Sequence, residues 1–206
     1  MEIDDILHRI YREANLRLLY PRMVSGHQQG QLLSILTHLI APRRALEIGT
    51  FAGYSALCIA RALKPEARLD TIEIDDELEP FITKGFSSTS VGDKIKLHIG
   101  DALQIIPQLH QDGITWNMAF IDADKRLYPQ YLELLLEIMP KGSYILADNT
   151  LWPGASQISL DQPPPSSRHE LQSYGIALFN HLVAHDKRLE SFTLPIRDGL
   201  TIIKIK

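Results

Sequence analysis

The sequence contains a single cysteine, Cys58, so no disulfide can form within the chain. Such scarcity is typical of proteins that work in a reducing cytoplasm. The sequence also lacks an apolar run approaching the ~20 residues that span a bilayer. Its first residues lack the basic start and the apolar stretch of a signal peptide. We therefore predict a cytoplasmic protein without a membrane segment.

No block of lysine and arginine stands out, and the formal net charge is -4. Tight nonspecific binding to nucleic acid usually needs a basic face, so this composition disfavours a nucleic-acid partner. Apolar residues make up 45% of the chain and charged residues 22%, which is typical of a globular protein. A length of 206 residues suits one domain with a full core, or at most two small ones. We predict a single domain over residues 1–206 that begins with helices within residues 1–40.

Hydrophobic periodicity predicts helices and strands that alternate along most of the chain. Helices are predicted at 2–20, 29–40, 54–63, 77–86, 128–139 and 169–185. Strands are predicted at 45–48, 69–74, 95–99, 118–121, 143–147, 189–194 and 200–205. Alternation indicates a mostly parallel sheet covered on both faces, and the tight turn at 195–199 makes the last two strands antiparallel to each other. The predicted fold class is α/β, a doubly wound, mostly parallel seven-stranded sheet with an antiparallel edge hairpin.

A glycine loop follows the first predicted strand, at residues 47–55. Gly49 permits a tight turn, and the amides at the start of the next helix could hold an anion. Gly53 follows four residues later, which is not the spacing of the dinucleotide fingerprint. Glu73 ends the next strand, where a carboxylate can accept bonds from both ribose hydroxyls of a nucleoside. The alternative is an ordinary turn and a surface acid.

The third predicted strand ends in Gly100, Asp101 and Ala102. In a parallel sheet this segment lies at the same edge as the glycine loop, where it could approach an adenine. A plain turn explains these three residues equally well.

Two further strands end in acids. Asp122 ends one strand, and Asp148 followed by Asn149 ends the next. If these strands are parallel neighbours, their ends lie ~5 Å apart, and two carboxylates that close need a neutralising charge. Two carboxylates and an amide oxygen suit Mg²⁺ or Ca²⁺. Lys125 reaches the same cleft and suits a general base; read singly, each residue would be a strand-end cap or a solvated lysine.

Together these stretches resemble the cation-dependent small-molecule O-methyltransferases, the family of caffeoyl-CoA O-methyltransferase and catechol O-methyltransferase. The matching segments occur in the same order and are 46–55, 73–75, 100–102, 120–125, 147–152 and 194–199. The set Asp122, Lys125, Asp148 and Asn149 is the most specific part of the resemblance. The loop 155–168 matches nothing in the family pattern, and this loop shapes the acceptor pocket in such folds.

The resemblance implies a Rossmann-like methyltransferase fold and S-adenosylmethionine as methyl donor. It implies that these residues surround the donor: Ser25, Glu47, Gly49, Ser55, Glu73, Ala102 and Asp122. It further implies that Asp122, Asp148 and Asn149 hold a divalent cation and that Lys125 is the catalytic base. Lys125, Asn149 and Trp152 would contact the acceptor, a vicinal dihydroxy aromatic small molecule. The family commonly dimerises, so a homodimer is also predicted.

Three other functions fit parts of the pattern. One is methylation of a hydroxylated uridine in tRNA, which the acidic net charge disfavours. A second is a nicotinamide-dependent oxidoreductase, against which the glycine spacing argues. The third is a cofactor-binding module without catalysis, against which the complete set of two acids, amide and lysine argues.

Overall fold

The computed structural model describes residues 3–206, and the chain divides into two compact units, Met1–Leu109 and His110–Lys206. The predicted single domain over residues 1–206 stays a prediction. The predicted first helix is observed from Ile3, and its predicted first residue, Glu2, lies outside the described residues.

The first unit contains three parallel strands and most of the helices that cover them. Its helices are α1 (Ile3–Arg17), α2 (His27–Ile40), α3 (Tyr54–Ala62), α4 (Glu79–Phe86) and α5 (Ala102–Gln111), of which the last ends just beyond the unit boundary. Its strands are β1 (Arg44–Ile48), β2 (Arg68–Glu73) and β3 (Ile95–Ile99). Strand β1 pairs with β2, and β2 pairs with β3, both in parallel.

Close packing of α2 against α3 in the first unit depends on a glycine. A Cβ on Gly30 of α2 would stand 2.7 Å from the Cys58 sulfur and 2.9 Å from the Tyr54 ring. Only a glycine lets α2 approach α3 this closely. Cys58 is buried, and burial raises the pKa of its thiol to about 12. A buried free cysteine of this kind packs as a small core residue.

The second unit contains the remaining four strands and two helices. Its strands are β4 (Met118–Ile121), β5 (Tyr144–Asp148), β6 (Leu189–Leu194) and β7 (Leu200–Ile205), and its helices are α6 (Tyr128–Ile138) and α7 (Arg168–His185). Strand β4 pairs with β5 in parallel, whereas β7 is antiparallel to both β5 and β6. The antiparallel hairpin therefore closes one edge, as the turn at 195–199 predicts.

The seven strands follow the order β3-β2-β1-β4-β5-β7-β6. The predicted doubly wound, mostly parallel seven-stranded sheet with an antiparallel edge is therefore confirmed. The sequence did not predict α5, which begins where Asp101 accepts a hydrogen bond from the amide of Leu103 at 2.9 Å. Pro107 inside this helix disguises its helical pattern. None of the helices within residues 3–206 is long and apolar enough to cross a membrane.

Candidate functional site

The three strand ends of the first unit lie side by side. The amide of Gly49 donates to the carbonyl of Ile72 at 2.9 Å, and the amide of Gly100 donates to the carbonyl of Glu73 at 2.8 Å. Both glycines have positive φ, 98° and 139°, a conformation that side chains disfavour. The chain can therefore turn sharply at the carboxyl edge, where ligands bind in sheets of this class.

Glu73 fixes the glycine loop. Its carboxylate accepts hydrogen bonds from the amides of Phe51 at 2.7 Å, Ile74 at 3.0 Å and Asp75 at 3.0 Å. The loop residue Phe51 takes a left-handed φ of 48°. A carboxylate offers about four acceptor positions, so these bonds leave room for about one more donor. Glu73 is 7% exposed and its orientation is set before any ligand arrives.

The other predicted donor-binding residues occupy the same unit. Glu47 is fully buried and accepts a hydrogen bond from the hydroxyl of Thr71 on the neighbouring strand. Ser55 is buried in the first turn of α3, and Ala102 is buried at the first position of α5. Ser25 is buried two residues before α2. Asp122, the remaining residue predicted to contact the donor, belongs to the second unit.

In the second unit, two carboxylates lie at neighbouring strand ends. The parallel register pairs Ile121 of β4 with Ala147 of β5, so Asp122 and Asp148 are the next residues on the two strands. Burial, and after it the negative charges of Asp122 and Asp148, raises the pKa of Tyr128 well above its usual value. The register therefore puts the two residues at neighbouring strand ends.

Lys125 lies beside one of these carboxylates. Its Nζ is 3.2 Å from Oδ1 of Asp122, 5.7 Å from the centre of the Trp152 ring and 6.0 Å from that of Tyr128. A cation at such distances is attracted to the faces of aromatic rings. The structure therefore brings together three of the predicted residues, Asp122, Lys125 and Trp152.

Asn149 sits in a left-handed turn that the β6–β7 hairpin supports. Its φ is 59°, and its Nδ2 lies 3.5 Å from Oδ2 of Asp198. The amides of Thr150 and Leu151 donate to the carbonyls of Gly199 at 3.1 Å and Asp198 at 2.7 Å. Because Nδ2 faces Asp198, the Oδ1 atom of Asn149 is the amide atom left to act as a ligand.

Trp152 carries a buried donor without a protein partner. Its Nε1 atom has no hydrogen-bond partner among the described residues. A buried indole N–H usually finds a partner, so this one is suited to an acceptor atom of a bound molecule. The predicted contact between Trp152 and the acceptor stays a prediction.

The donor set matches a hard cation in type. Within residues 3–206, no group of three or more His, Cys, Asp or Glu side chains could hold a metal ion. The predicted set instead combines the carboxylates of Asp122 and Asp148 with the amide of Asn149, and such oxygen donors suit Mg²⁺ or Ca²⁺ completed by water. His181 and His185, at a spacing found in zinc sites, stack on each other with ring centres 4.1 Å apart.

Sequence reasoning missed three features of this region. Tyr128 is fully buried, and its hydroxyl lies 3.2 Å from the carbonyl of Ile121 and 3.0 Å from that of Asp148. Asp124 accepts a forked interaction from Arg126, which lowers the pKa of that carboxyl and pins the turn around Lys125. Gly175 of α7 packs on the backbone of Lys125. Only Asp124 had a sequence signal, because it precedes a short helix at a capping position.

Comparison with known proteins gives consistent matches along the chain. The profile of the O-methyltransferase family matches residues 2–206. Caffeoyl-CoA O-methyltransferase 1 of Eucalyptus globulus is 33% identical over 195 residues, which cover 94% of this chain and 79% of the relative. Caffeoyl-CoA O-methyltransferase of Petroselinum crispum is 31% identical over 196 residues, which cover 94% of this chain and 81% of the relative.

Two solved structures share the fold. The O-methyltransferase TomG from Streptomyces achromogenes, in complex with SAM, matches with a TM-score of 0.87 and 29% identity over 98% of this chain and 89% of its own. An O-methyltransferase from Bacillus cereus, in complex with SAH, also matches with a TM-score of 0.87, at 26% identity over 98% of this chain and 91% of its own. With the glycine loop, Glu73 and the strand-end acids in place, the chain belongs to the O-methyltransferase family and is an S-adenosylmethionine-dependent O-methyltransferase.

Proposed function

We propose that this enzyme methylates one hydroxyl of a vicinal dihydroxy aromatic small molecule in a reaction that requires a divalent cation, Mg²⁺ or Ca²⁺. The observation that carries the proposal is the pair of strand-end carboxylates, Asp122 and Asp148, with Lys125 at 3.2 Å from the first of them. The relatives named for caffeoyl-CoA support an acceptor with an aromatic diol.

The donor is proposed to bind the first unit. The residues proposed to contact it there are Ser25, Glu47, Gly49, Ser55, Glu73 and Ala102. Glu73 supports this proposal because three backbone amides hold its carboxylate and leave room for a ribose hydroxyl. Asp122 is proposed to contact the donor amine as well.

The cation is proposed to bind Asp122, Asp148 and Asn149. When bound, a divalent cation favours the ionised form of a hydroxyl that contacts it. Asp148 is 5% exposed, so its charge is poorly solvated and benefits from a counter-charge. Asn149 directly follows Asp148 in the sequence. The left-handed turn at Asn149 is proposed to let the two residues act as neighbouring ligands.

Lys125 is proposed to remove the proton of the reacting hydroxyl. Its Nζ lies beside Asp122 and over two aromatic rings, so the side chain is held in place before the acceptor binds. The neutral amine form of Lys125 takes the proton and becomes an ammonium beside Asp122. The acceptor oxygen then forms a bond to the methyl carbon while the bond from that carbon to the sulfonium sulfur breaks. Lys125 keeps the proton, and the products are the methyl ether and S-adenosylhomocysteine. Trp152 is proposed to border the aromatic ring of the acceptor.

A chelator titration tests the proposal. We expect methyl transfer from S-adenosylmethionine to a catechol to cease in excess chelator and to return when Mg²⁺ is added. Asp148→Ala should lose metal-dependent turnover and keep its fold, since a strand-end acid contributes little to the core. Asp112→Ala is the matched control, because Asp112 is an exposed acid of the same unit. Wild-type turnover that persists in excess chelator would show that the cation assignment is wrong.

We also propose that the protein is a cytoplasmic homodimer. A lone, buried cysteine with a thiol that stays protonated is consistent with a reducing compartment. Several large apolar side chains of the first unit are exposed: Leu16, Leu19, Tyr20, Met23, Ile35 and Leu39. All six lie within residues 16–39, and exposed apolar side chains that form a patch are typical of a surface that another protein covers.

A further inference from the structure

Tyr128 occupies the space beneath the two strand ends that carry the proposed cation ligands. It is the first residue of α6 and is fully buried. Its hydroxyl oxygen lies 3.2 Å from the carbonyl oxygen of Ile121 and 3.0 Å from that of Asp148. The hydroxyl has one proton, so the two carbonyls share one donor.

This hydroxyl joins the strands where their regular pairing stops. The parallel register of β4 and β5 ends at Ile121 and Ala147. The next residues on the two strands are the carboxylates Asp122 and Asp148. A donor shared between the backbone just before Asp122 and the backbone of Asp148 therefore ties the two ligand-bearing residues together beyond the end of the ladder.

The tyrosine ring is itself held from several sides. Phe179 of α7 packs edge-on against it with ring centres 5.4 Å apart, and Tyr131 lies 6.5 Å away. The Lys125 ammonium lies 6.0 Å from its centre. A ring locked by such packing can hold its hydroxyl in one position. A tyrosine hydroxyl, with an ordinary pKa near ~10, is protonated at neutral pH and can donate.

We infer that Tyr128 is a positioning residue that sets the spacing of Asp122 and Asp148 for a divalent cation. The inference rests on the proposed function, because it assigns Tyr128 to the cation site proposed there. Tyr128 acts through the backbone and does not contact the reacting atoms. Groups that orient metal ligands typically change metal affinity by about 10–100-fold when they are removed.

A titration of the full chain with Mn²⁺ tests this role without measuring activity. Binding is measured as the decrease of the free Mn²⁺ signal in electron paramagnetic resonance. Tyr128→Phe removes the hydroxyl and keeps the ring, so we expect Mn²⁺ to bind about 10-fold more weakly than to wild type. Binding of S-adenosylhomocysteine in the absence of metal should be unchanged. Tyr131→Phe, the same substitution at a buried position of the same helix, should leave Mn²⁺ affinity unchanged.

The outcomes separate the two claims. Equal Mn²⁺ affinity in wild type and Tyr128→Phe would overturn the role of Tyr128 and leave the cation site standing. Absence of Mn²⁺ binding to wild type would overturn the cation site and the role of Tyr128 with it. If Tyr128→Phe melts without a cooperative transition, the titrations of all three proteins are repeated with saturating S-adenosylhomocysteine, which stabilises the folded chain. Equal affinities under that condition would also overturn the role.

Discussion

Gly175 of α7 lies directly against the backbone of Lys125. A Cβ on Gly175 would stand 2.3 Å from the Lys125 carbonyl oxygen and 2.8 Å from the Arg126 Cα. Backbone atoms cannot rotate away as a side chain can, so the absence of a side chain at this helical position allows the turn that carries Lys125 to sit where it does.

Gly175→Ala should therefore displace Lys125. We expect turnover to fall about 10–100-fold, since shifts near 1 Å in a reacting group cost on that order. Binding of S-adenosylhomocysteine should change little, because the residues proposed to surround the donor lie mainly in the first unit. Gly85→Ala is the control: it is also a helical glycine, but its added Cβ would meet only the flexible end of Ile10 at 3.2 Å. Steady-state kinetics that show equal, small effects of both substitutions would contradict this prediction.

Lys125→Ala should remove the general base and retain the cation site. We expect turnover to fall by about 10²–10⁴-fold. The Mn²⁺ affinity should persist, because Lys125 is not one of the proposed cation ligands. Lys84→Ala is a matched control, because Lys84 also pairs with a carboxylate, Glu13 at 3.3 Å, on an exposed surface. Wild-type turnover in folded Lys125→Ala would exclude Lys125 as the base.

Glu73→Ala should weaken binding of S-adenosylhomocysteine, measured by calorimetry, by roughly 10–150-fold, the effect of losing charge-assisted hydrogen bonds. Part of this loss would come from the loop, because the substitution also frees the amide of Phe51. Glu77→Ala removes an exposed acid four residues away and should bind normally. An unchanged dissociation constant in folded Glu73→Ala would rule out a ribose contact.

Light scattering at micromolar concentration should give twice the chain mass of 23.3 kDa. The buried apolar residues of α1, such as Ile6 and Ile10, are already covered within the chain, so they do not need a partner. We expect the exposed residues Leu19 and Leu39, at 80% and 73% exposure, to belong to the interface. Leu39→Glu should shift the mass toward the monomer, whereas Lys64→Glu, at another exposed position, should not. A wild-type mass near 23.3 kDa would contradict the dimer.

The sequence by itself determined the sheet and the candidate residues at its edge. Apolar runs that end in glycine or acid, such as those before Gly49, Glu73 and Asp122, give strands with polar carboxyl ends. Parallel pairing brings the carboxyl ends of neighbouring strands to one edge, which is why separate motifs can be combined from the sequence alone. The predicted strand 95–99 and the last two strands match the observed bounds. Helix α5 does not follow from the sequence pattern, because Pro107 interrupts the helical spacing.

Only the tertiary structure decided how those residues are held. The Glu73 carboxylate binds three amides, the Tyr128 hydroxyl joins two strand ends, and Gly175 touches Lys125. These contacts join segments distant in sequence or depend on the rotamer of a side chain. Periodicity and motif spacing describe which face or end of an element a residue occupies, but they contain no distance between elements. Those distances follow from how the whole core packs, because a close-packed interior fixes every helix against its neighbours at once.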